Sequence, residues 1–219
     1  MRYLEQRGLR GVSMRELHRA VSAGNARGMV GLTFDDGYKD FLYTALPTLE
    51  RFGFTATVFV IGGLLGKENS WKHHHEPKPR IELLGAGEVR EVSERGMEVG
   101  AHTMSHAWLA GLDPERLEEE VGGSRQVLSE LLGEAVEGFC YPYGSLDAAA
   151  VEAVRRAQYT YACAVDQRVG KNVYDLPRIP VTEEDYSLRL AVKFRIFPQY
   201  SRIARFLRSL GRSRRQSLE

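Results

Sequence analysis

The chain has 219 residues, with 30 Lys and Arg against 29 Asp and Glu and a hydrophobic share of 43%. That length suits one domain, or two small ones, whose core needs no covalent staples. A net charge of +1 argues against a general nucleic-acid coat, and no apolar run reaches the roughly 20 residues that a membrane-spanning helix needs. Residues 1–7 are too charged for a secretory signal peptide. Unless sequence before Met1 has been removed, that points to the cytoplasm or the inner face of a membrane.

In chain order, the first 25 residues read as a helix followed by a second, capped one. Ser13 and Glu16 have the spacing of a capping box, Leu17 and Val21 share a face, and Gly24 supplies the stop. Residues 29–34 form an apolar run of strand type. Phe41, Ala45, Leu49 and Phe52 then repeat at helical spacing, with Pro47 expected to kink or restart the helix. Residues 55–61 are β-branched and aromatic throughout, the clearest strand in the chain. The 62–80 stretch is long for a loop inside a compact domain and carries Trp71 and the triplet His73, His74 and His75. Adjacent histidines rarely converge on one ion, so the triplet reads as solvated, with substrate or acid–base involvement as the alternative.

Residues 82–95 read as a helix ended by Gly96, and 97–101 as a strand. Asp113 and Pro114 open a long helix whose buried stripe is Leu117, Val121, Leu128, Leu131 and Leu132. Strands at 138–141, 160–164 and 177–181, with a helix over 147–157, complete an alternation that predicts βαβ units and a parallel sheet of six strands. Cys140 and Cys163 fall in apolar strand-like stretches and read as buried thiols. From Lys193 onward there are eight basic residues and one acid. Ile196, Phe197, Tyr200, Ile203 and Leu207, interleaved with arginines, predict a basic amphipathic helix there. It would either pack on the body or lie against an anionic membrane or a membrane-bound polymerase. The domain expectation is therefore a body over 1–192 and a tail over 193–219.

Asp35 and Asp36 end the first strand of the alternating region. Two adjacent carboxylates repel each other unless a divalent cation holds them, although Asp-Asp-Gly is also an ordinary turn. His102 and His106, after another strong strand, are four apart, which places them on one face of a helical turn and suits one metal; such a pair also arises by chance. Both elements follow strand C-termini, where (β/α) folds assemble sites from different strands. Asp, His and His are three protein ligands, leaving a coordination position for water.

Thr33-Phe34-Asp35-Asp36-Gly37, His102-Thr103-Met104-Ser105-His106, Tyr141-Pro142-Tyr143-Gly144 and Leu176-Pro177-Arg178-Ile179 resemble, in order, four motifs of the polysaccharide deacetylases, carbohydrate esterase family four. The resemblance covers roughly residues 1–182. It implies an α/β fold, a distorted or incomplete (β/α)7 barrel, and metal-dependent removal of N- or O-acetyl groups from amino-sugar polymers or oligosaccharides. Carried over, it makes Asp36, His102 and His106 the metal ligands, with Zn²⁺ ahead of Co²⁺ or Ni²⁺. Asp35 becomes the general base, and the Tyr143 backbone N–H joins the metal in stabilising the oxyanion. Tyr141, Pro142, Tyr143 and Trp71 fall on the substrate side, with Trp108 a further aromatic suited to sugar stacking. Thr103 and Ser105 are expected to brace the histidine turn.

The chain departs from the family in three places. Cys140 stands where many members carry an arginine that orients the base, and Arg178 is the expected substitute. No histidine follows His106 to serve as general acid, which leaves a histidine of the 73–75 loop, a metal-bound water or a weakly catalysed leaving-group step. An earlier strand ending near a Tyr-His pair would lie upstream of Met1. Two other functions stay open on sequence alone: an amidase acting on a small non-sugar amide, and a non-catalytic glycan-binding relative, although Asp35, Asp36, His102 and His106 are all retained.

Overall fold

The computed structural model describes residues 1–71, 79–165, 172–186 and 188–195. The histidine triplet and the amphipathic stretch from Ile196 onward lie outside the described residues. Strands β3 (Thr33–Phe34), β4 (Thr57–Val60), β5 (Glu98–Ala101), β6 (Gly138–Cys140), β7 (Tyr161–Ala164) and β8 (Leu176–Pro177) form one parallel sheet in that spatial order. Each strand pairs with the next one in sequence, so no reversal of order creates the crevice of a doubly wound sheet. Sequential parallel order instead puts the crossovers on one face and curls the sheet. The result is an open, distorted (β/α) barrel whose strand C-termini share one rim.

The alternation along each strand separates two cores. Val58, Val60, Phe139, Tyr141, Ala162 and Ala164 face the helices. Phe59, Cys140, Tyr161 and Cys163 face inward and pack with Met14. Both faces are buried, which is why these strands read as continuous apolar runs rather than alternating ones. Burying each large side chain contributes about 1.5–3 kcal/mol. Gly100 belongs to this packing: a Cβ there would lie 2.5 Å from the Phe59 ring.

Several sequence expectations shift. Between the helices α1 (Arg2–Glu5) and α2 (Met14–Ser22) lies an unexpected strand, β1 (Arg10–Val12), paired in parallel with β2 (Met29–Gly31). Three residues, one of them glycine, carry too little periodicity to announce a strand. The expected strand 29–34 accordingly bends at Leu32, giving β2 to one sheet and β3 to the other. The Pro47 helix widens over Phe41–Ala45 into a π-type turn before α3 (Leu46–Arg51).

Residues 82–84 are extended rather than helical, because Leu83 bridges Tyr38 and Glu82 bridges Glu68. Glu68 of the long 62–80 loop is thereby tied to residue 82, and α4 begins only at Ala86 (Ala86–Glu94). The long helix is α5 (Pro114–Leu117) and α6 (Gly123–Leu132), joined by a π-type turn over Glu118–Gly122. Along it Leu117, Val121 and Leu128 are buried, whereas Leu131 and Leu132 are half-buried. After α7 (Ala148–Arg156), the last strand ends at Pro177, well short of the expected 181.

The N-terminus of α2 closes the lower end of the barrel. Ser13 N donates to Thr55 Oγ1, Met14 N to Thr57 Oγ1 and Arg15 N to the buried Glu98 carboxylate. Glu98 also accepts from Thr57 Oγ1 and from the Tyr161 hydroxyl. These bonds satisfy helix-end donors that would otherwise be orphaned. The opposite rim is left for the site.

Candidate active site

Asp36 follows β3, and His102 and His106 follow β5. The Asp36 Oδ1 atom lies 3.3 Å from His102 Nε2 and 3.2 Å from His106 Nε2. Ligands at 2.0–2.1 Å from a tetrahedral ion are separated by about 1.63 bond lengths, roughly 3.3 Å. Asp36 Oδ1 therefore lies at a tetrahedral edge length from both imidazole nitrogens, as ligands of one ion would. The outer partners fit as well. His102 Nδ1 donates to the Cys140 carbonyl at 2.7 Å, and a carbonyl only accepts, so the Nε2 lone pair is left for an ion. His106 Nδ1 lies 2.9 Å from the Tyr143 hydroxyl. Burial lowers the pKa of His106, which favours the neutral ligand form. Burial works to raise the Asp36 carboxyl, but the hydrogen bonds and charge of the two histidines outweigh it and keep the group ionised.

The histidines do not share a helical turn, as their spacing had suggested. The segment after β5 is irregular, with Thr103 at φ 67° and His106 at φ 62°. Asp36 and Tyr143, at φ 70° and 57°, are left-handed too, so four of the five described non-glycine residues of this kind belong to the site. Each such residue costs about 1–3 kcal/mol, and the surroundings must hold it. Thr103 Oγ1 accepts from His106 N, bracing the turn as expected. The buried Glu120 accepts from Met104 N at 3.0 Å, Ser105 N at 2.9 Å and Ser105 Oγ at 2.6 Å. Gly63 N donates to Met104 O, and a Cβ at Gly63 would lie 2.5 Å from that oxygen.

Glu120 is not among the residues that the sequence motifs mark. The available signal was a carboxylate at helical spacing with Leu117, Val121 and Ser124, on the face that should be apolar.

Asp35, the neighbour of Asp36, is held from the far side of the sheet. Arg178 follows β8 and binds it bidentately, Nη1 to Oδ1 at 2.6 Å and Nη2 to Oδ2 at 2.7 Å. Arg178 Nη1 also donates to Thr33 Oγ1. Burial works to raise the Asp35 carboxyl, but the Arg178 charge and hydrogen bonds outweigh it, so Asp35 stays ionised below the usual carboxylate range. Arg178 Nη2 lies 2.9 Å from Cys140 Sγ. Cys140 and Cys163 are free and buried, and burial pushes both thiols up in pKa. Asp35, His102 and Cys140 also lie close enough to share an ion. The guanidinium already spans the first and last of them, so Asp36, His102 and His106 are the better ligand set.

A family model described as polysaccharide deacetylase matches residues 23–162, well over half of the chain. The chain belongs to the polysaccharide deacetylase family. YxkH of Bacillus subtilis (strain 168) is 27% identical over 154 residues, 69% of this chain and 50% of that protein. The poly-beta-1,6-N-acetyl-D-glucosamine N-deacetylase of Staphylococcus aureus (strain MRSA252) is 22% identical over 169 residues, 72% of this chain and 56% of that one. The chain thus spans about half the length of these curated relatives. Among solved structures, the Streptococcus pyogenes deacetylase PplD in complex with acetate aligns with a TM-score of 0.75 at 23% identity, covering 88% of this chain and 82% of its own. IcaB from Ammonifex degensii aligns at 0.67 with 25% identity, covering 92% and 84%.

In this deacetylase fold the aromatic residues divide into two groups. Trp71 packs over the His106 ring, with centroids 4.4 Å apart, and Tyr38 lies beside it. Tyr143 meets His106 edge-on and stacks on Trp108. Tyr141 and Pro142 do not face the rim: Tyr141 is 1% exposed and its hydroxyl donates to Tyr174 O, while Pro142 is buried in the turn. Their side chains shape the Tyr143 turn and cannot stack on a sugar. Tyr38 was passed over in the sequence. Burial, with the neighbouring Asp36 charge, pushes its pKa up to about 12, so it stays a neutral phenol beside the ligand set.

Proposed function

We propose that this chain is a metal-dependent hydrolase that removes acetyl groups, N-acetyl foremost, from an amino-sugar polysaccharide or oligosaccharide. The observation that carries this reading is one carboxylate oxygen at a tetrahedral edge length from two imidazole nitrogens, beside a second carboxylate kept ionised by Arg178. Asp36, His102 and His106 would hold the ion, with Zn²⁺ ahead of Co²⁺ or Ni²⁺ for an imidazole-rich site. When bound, the ion supplies a Lewis acid for the acetyl carbonyl and lowers the pKa of water to about 7.

Asp35 then takes the proton of the attacking water. Its fixed geometry suits this task, because Arg178 leaves it no freedom to swing away. The backbone N–H of Tyr143 is the protein's contribution to the oxyanion. Once protonated, Asp35 can return that proton to the leaving amine nitrogen. Among the described residues His18 does not compete for the role, since it stacks on Tyr161 near the closed end of the barrel. The S. aureus relative is named as an N-deacetylase of poly-beta-1,6-N-acetyl-D-glucosamine, and that substrate class is the first to try here.

Acetate release from acetylated oligosaccharides, with and without chelator, tests the reading. Release that chelator abolishes and added Zn²⁺ restores is expected; no release under any metal overturns it. The 193–219 tail, with its eight basic residues, is proposed to bring the catalytic body (1–192) to an anionic membrane surface or a membrane-bound synthase. Full-length chain should co-sediment with anionic vesicles in a salt-sensitive way, and chain stopped after Val192 should not.

A further inference from the structure

The histidine loop carries one side chain that the chemistry above does not use. Met104 lies between His102 and His106 and is half-buried. Its thioether sits in a socket of three glycines. A Cβ at Gly62 would lie 3.3 Å from Met104 Sδ, and one at Gly63 3.3 Å from Cε. A Cβ at Gly123 would lie 3.4 Å from Cγ and 3.8 Å from Sδ. With no side chains at these positions, the thioether packs directly on the backbone of the turn after β4 and of the start of α6. Beside it, Gly62 N donates to Thr103 O at 2.9 Å and Gly63 N to Met104 O at 3.0 Å. Met104 thus ties a loop containing the left-handed Thr103 and His106 to two neighbouring elements.

A thioether is open to oxidation by peroxides, which turns an apolar side chain into a polar one. Met14, Met97, Cys140 and Cys163 are buried, whereas Met104 keeps part of its surface in water. Met1 and Met29 are half-buried too, but they lie outside the histidine loop. We propose that Met104 is an oxidation site for hydrogen peroxide, and that its sulfoxide loosens the histidine loop and weakens metal binding. The sulfur lone pair takes one peroxide oxygen as the O–O bond breaks. The proton on that oxygen passes to the departing hydroxide, so the products are one sulfoxide and one water. The new oxygen needs a donor, and the Gly62 and Gly63 N–H groups already donate to Thr103 O and Met104 O. An unsatisfied oxygen is costly in the socket, so the side chain is drawn out towards water and the glycine packing is lost. This inference rests on the proposed ligand set of Asp36, His102 and His106 and adds a chemical control over it.

The test treats full-length Zn²⁺-loaded protein with hydrogen peroxide, removes the excess with catalase and titrates the metal against a competing chelator. Peptide mass mapping should show one added oxygen on Met104. Wild-type affinity should fall roughly tenfold on treatment, the lower end for a lost outer-shell support, and methionine sulfoxide reductase should restore it. Met104→Leu keeps the bulk without the sulfur, so its ratio of treated to untreated affinity should stay near one. Three results each overturn the inference: Met104 unmodified while free methionine in the same solution is oxidised, an oxidised Met104 with unchanged affinity, or an equal loss in Met104→Leu. If untreated wild type binds no Zn²⁺, the ligand-set reading fails separately. The oxidation site is then judged by amide hydrogen exchange over residues 102–106. Faster exchange in oxidised wild type that is absent from treated Met104→Leu supports it; unchanged exchange overturns it.

Discussion

Asp35 and Asp36 are adjacent in sequence, and their partners divide them. Asp36 faces two imidazoles and Asp35 faces one guanidinium, so one carboxylate suits an ion and the other a proton. Asp35→Asn keeps the shape but cannot accept a proton. Turnover should fall by roughly 10²–10⁴-fold while metal content, read by elemental analysis, stays stoichiometric. Arg178→Gln removes the charge that opposes burial at Asp35. The Asp35 pKa then rises, and the acidic limb of kcat/KM should move to higher pH; an unmoved limb would show that Arg178 does not set the ionisation of Asp35. The linkage has the same sign. A depressed carboxyl pKa contributes stability that is full above its unfolded value near 3.8 and is lost as pH falls through the lower folded value.

The histidine loop shows how an element stores strain for a site. Its left-handed Thr103 and His106 are held by Glu120 from the π-type turn, by Thr103's own hydroxyl and by the Gly62-Gly63 backbone. Glu120→Ala would leave the Met104 and Ser105 N–H groups without their carboxylate. Metal affinity should weaken about 10–100-fold, as for other lost outer-shell partners, and Zn²⁺ titration against a competing chelator would measure it. Glu120→Gln retains one acceptor oxygen and should recover part of the loss. Affinity unchanged in Glu120→Ala would mean that Thr103 and the glycines suffice to hold the loop.

Across the whole molecule, the two ends of the barrel are separable. The proposed ligand set lies at the strand C-termini, whereas Glu98, at the start of β5, accepts from Arg15 N, Thr57 Oγ1 and Tyr161 Oη at the closed end. Glu98→Ala leaves those three donors without the carboxylate. Each unsatisfied buried group costs about 1–3 kcal/mol, so urea denaturation should show a large loss of stability. Metal content and chelator sensitivity of the folded fraction should persist. Loss of metal at full stability would instead tie the closed end to the site.

The sequence by itself determined which residues are the candidates for the chemistry: Asp35, Asp36, His102 and His106 stand in short motifs after strands, and strand–helix alternation implied a parallel sheet. Local pattern suffices there because adjacent residues and strand ends are properties of a few consecutive positions. Only the tertiary structure decided the rest. Arg178 reaches Asp35 across 143 positions of sequence because β3 and β8 lie at opposite edges of one curled sheet. Tyr141 and Tyr143, two residues apart, go to the core and to the rim because the turn between them forces Tyr143 left-handed. The histidine pair converges through backbone strain rather than helical spacing, and that strain is balanced by a buried glutamate from another element. Such contacts depend on which surfaces meet after folding, and no periodicity within a short window encodes them.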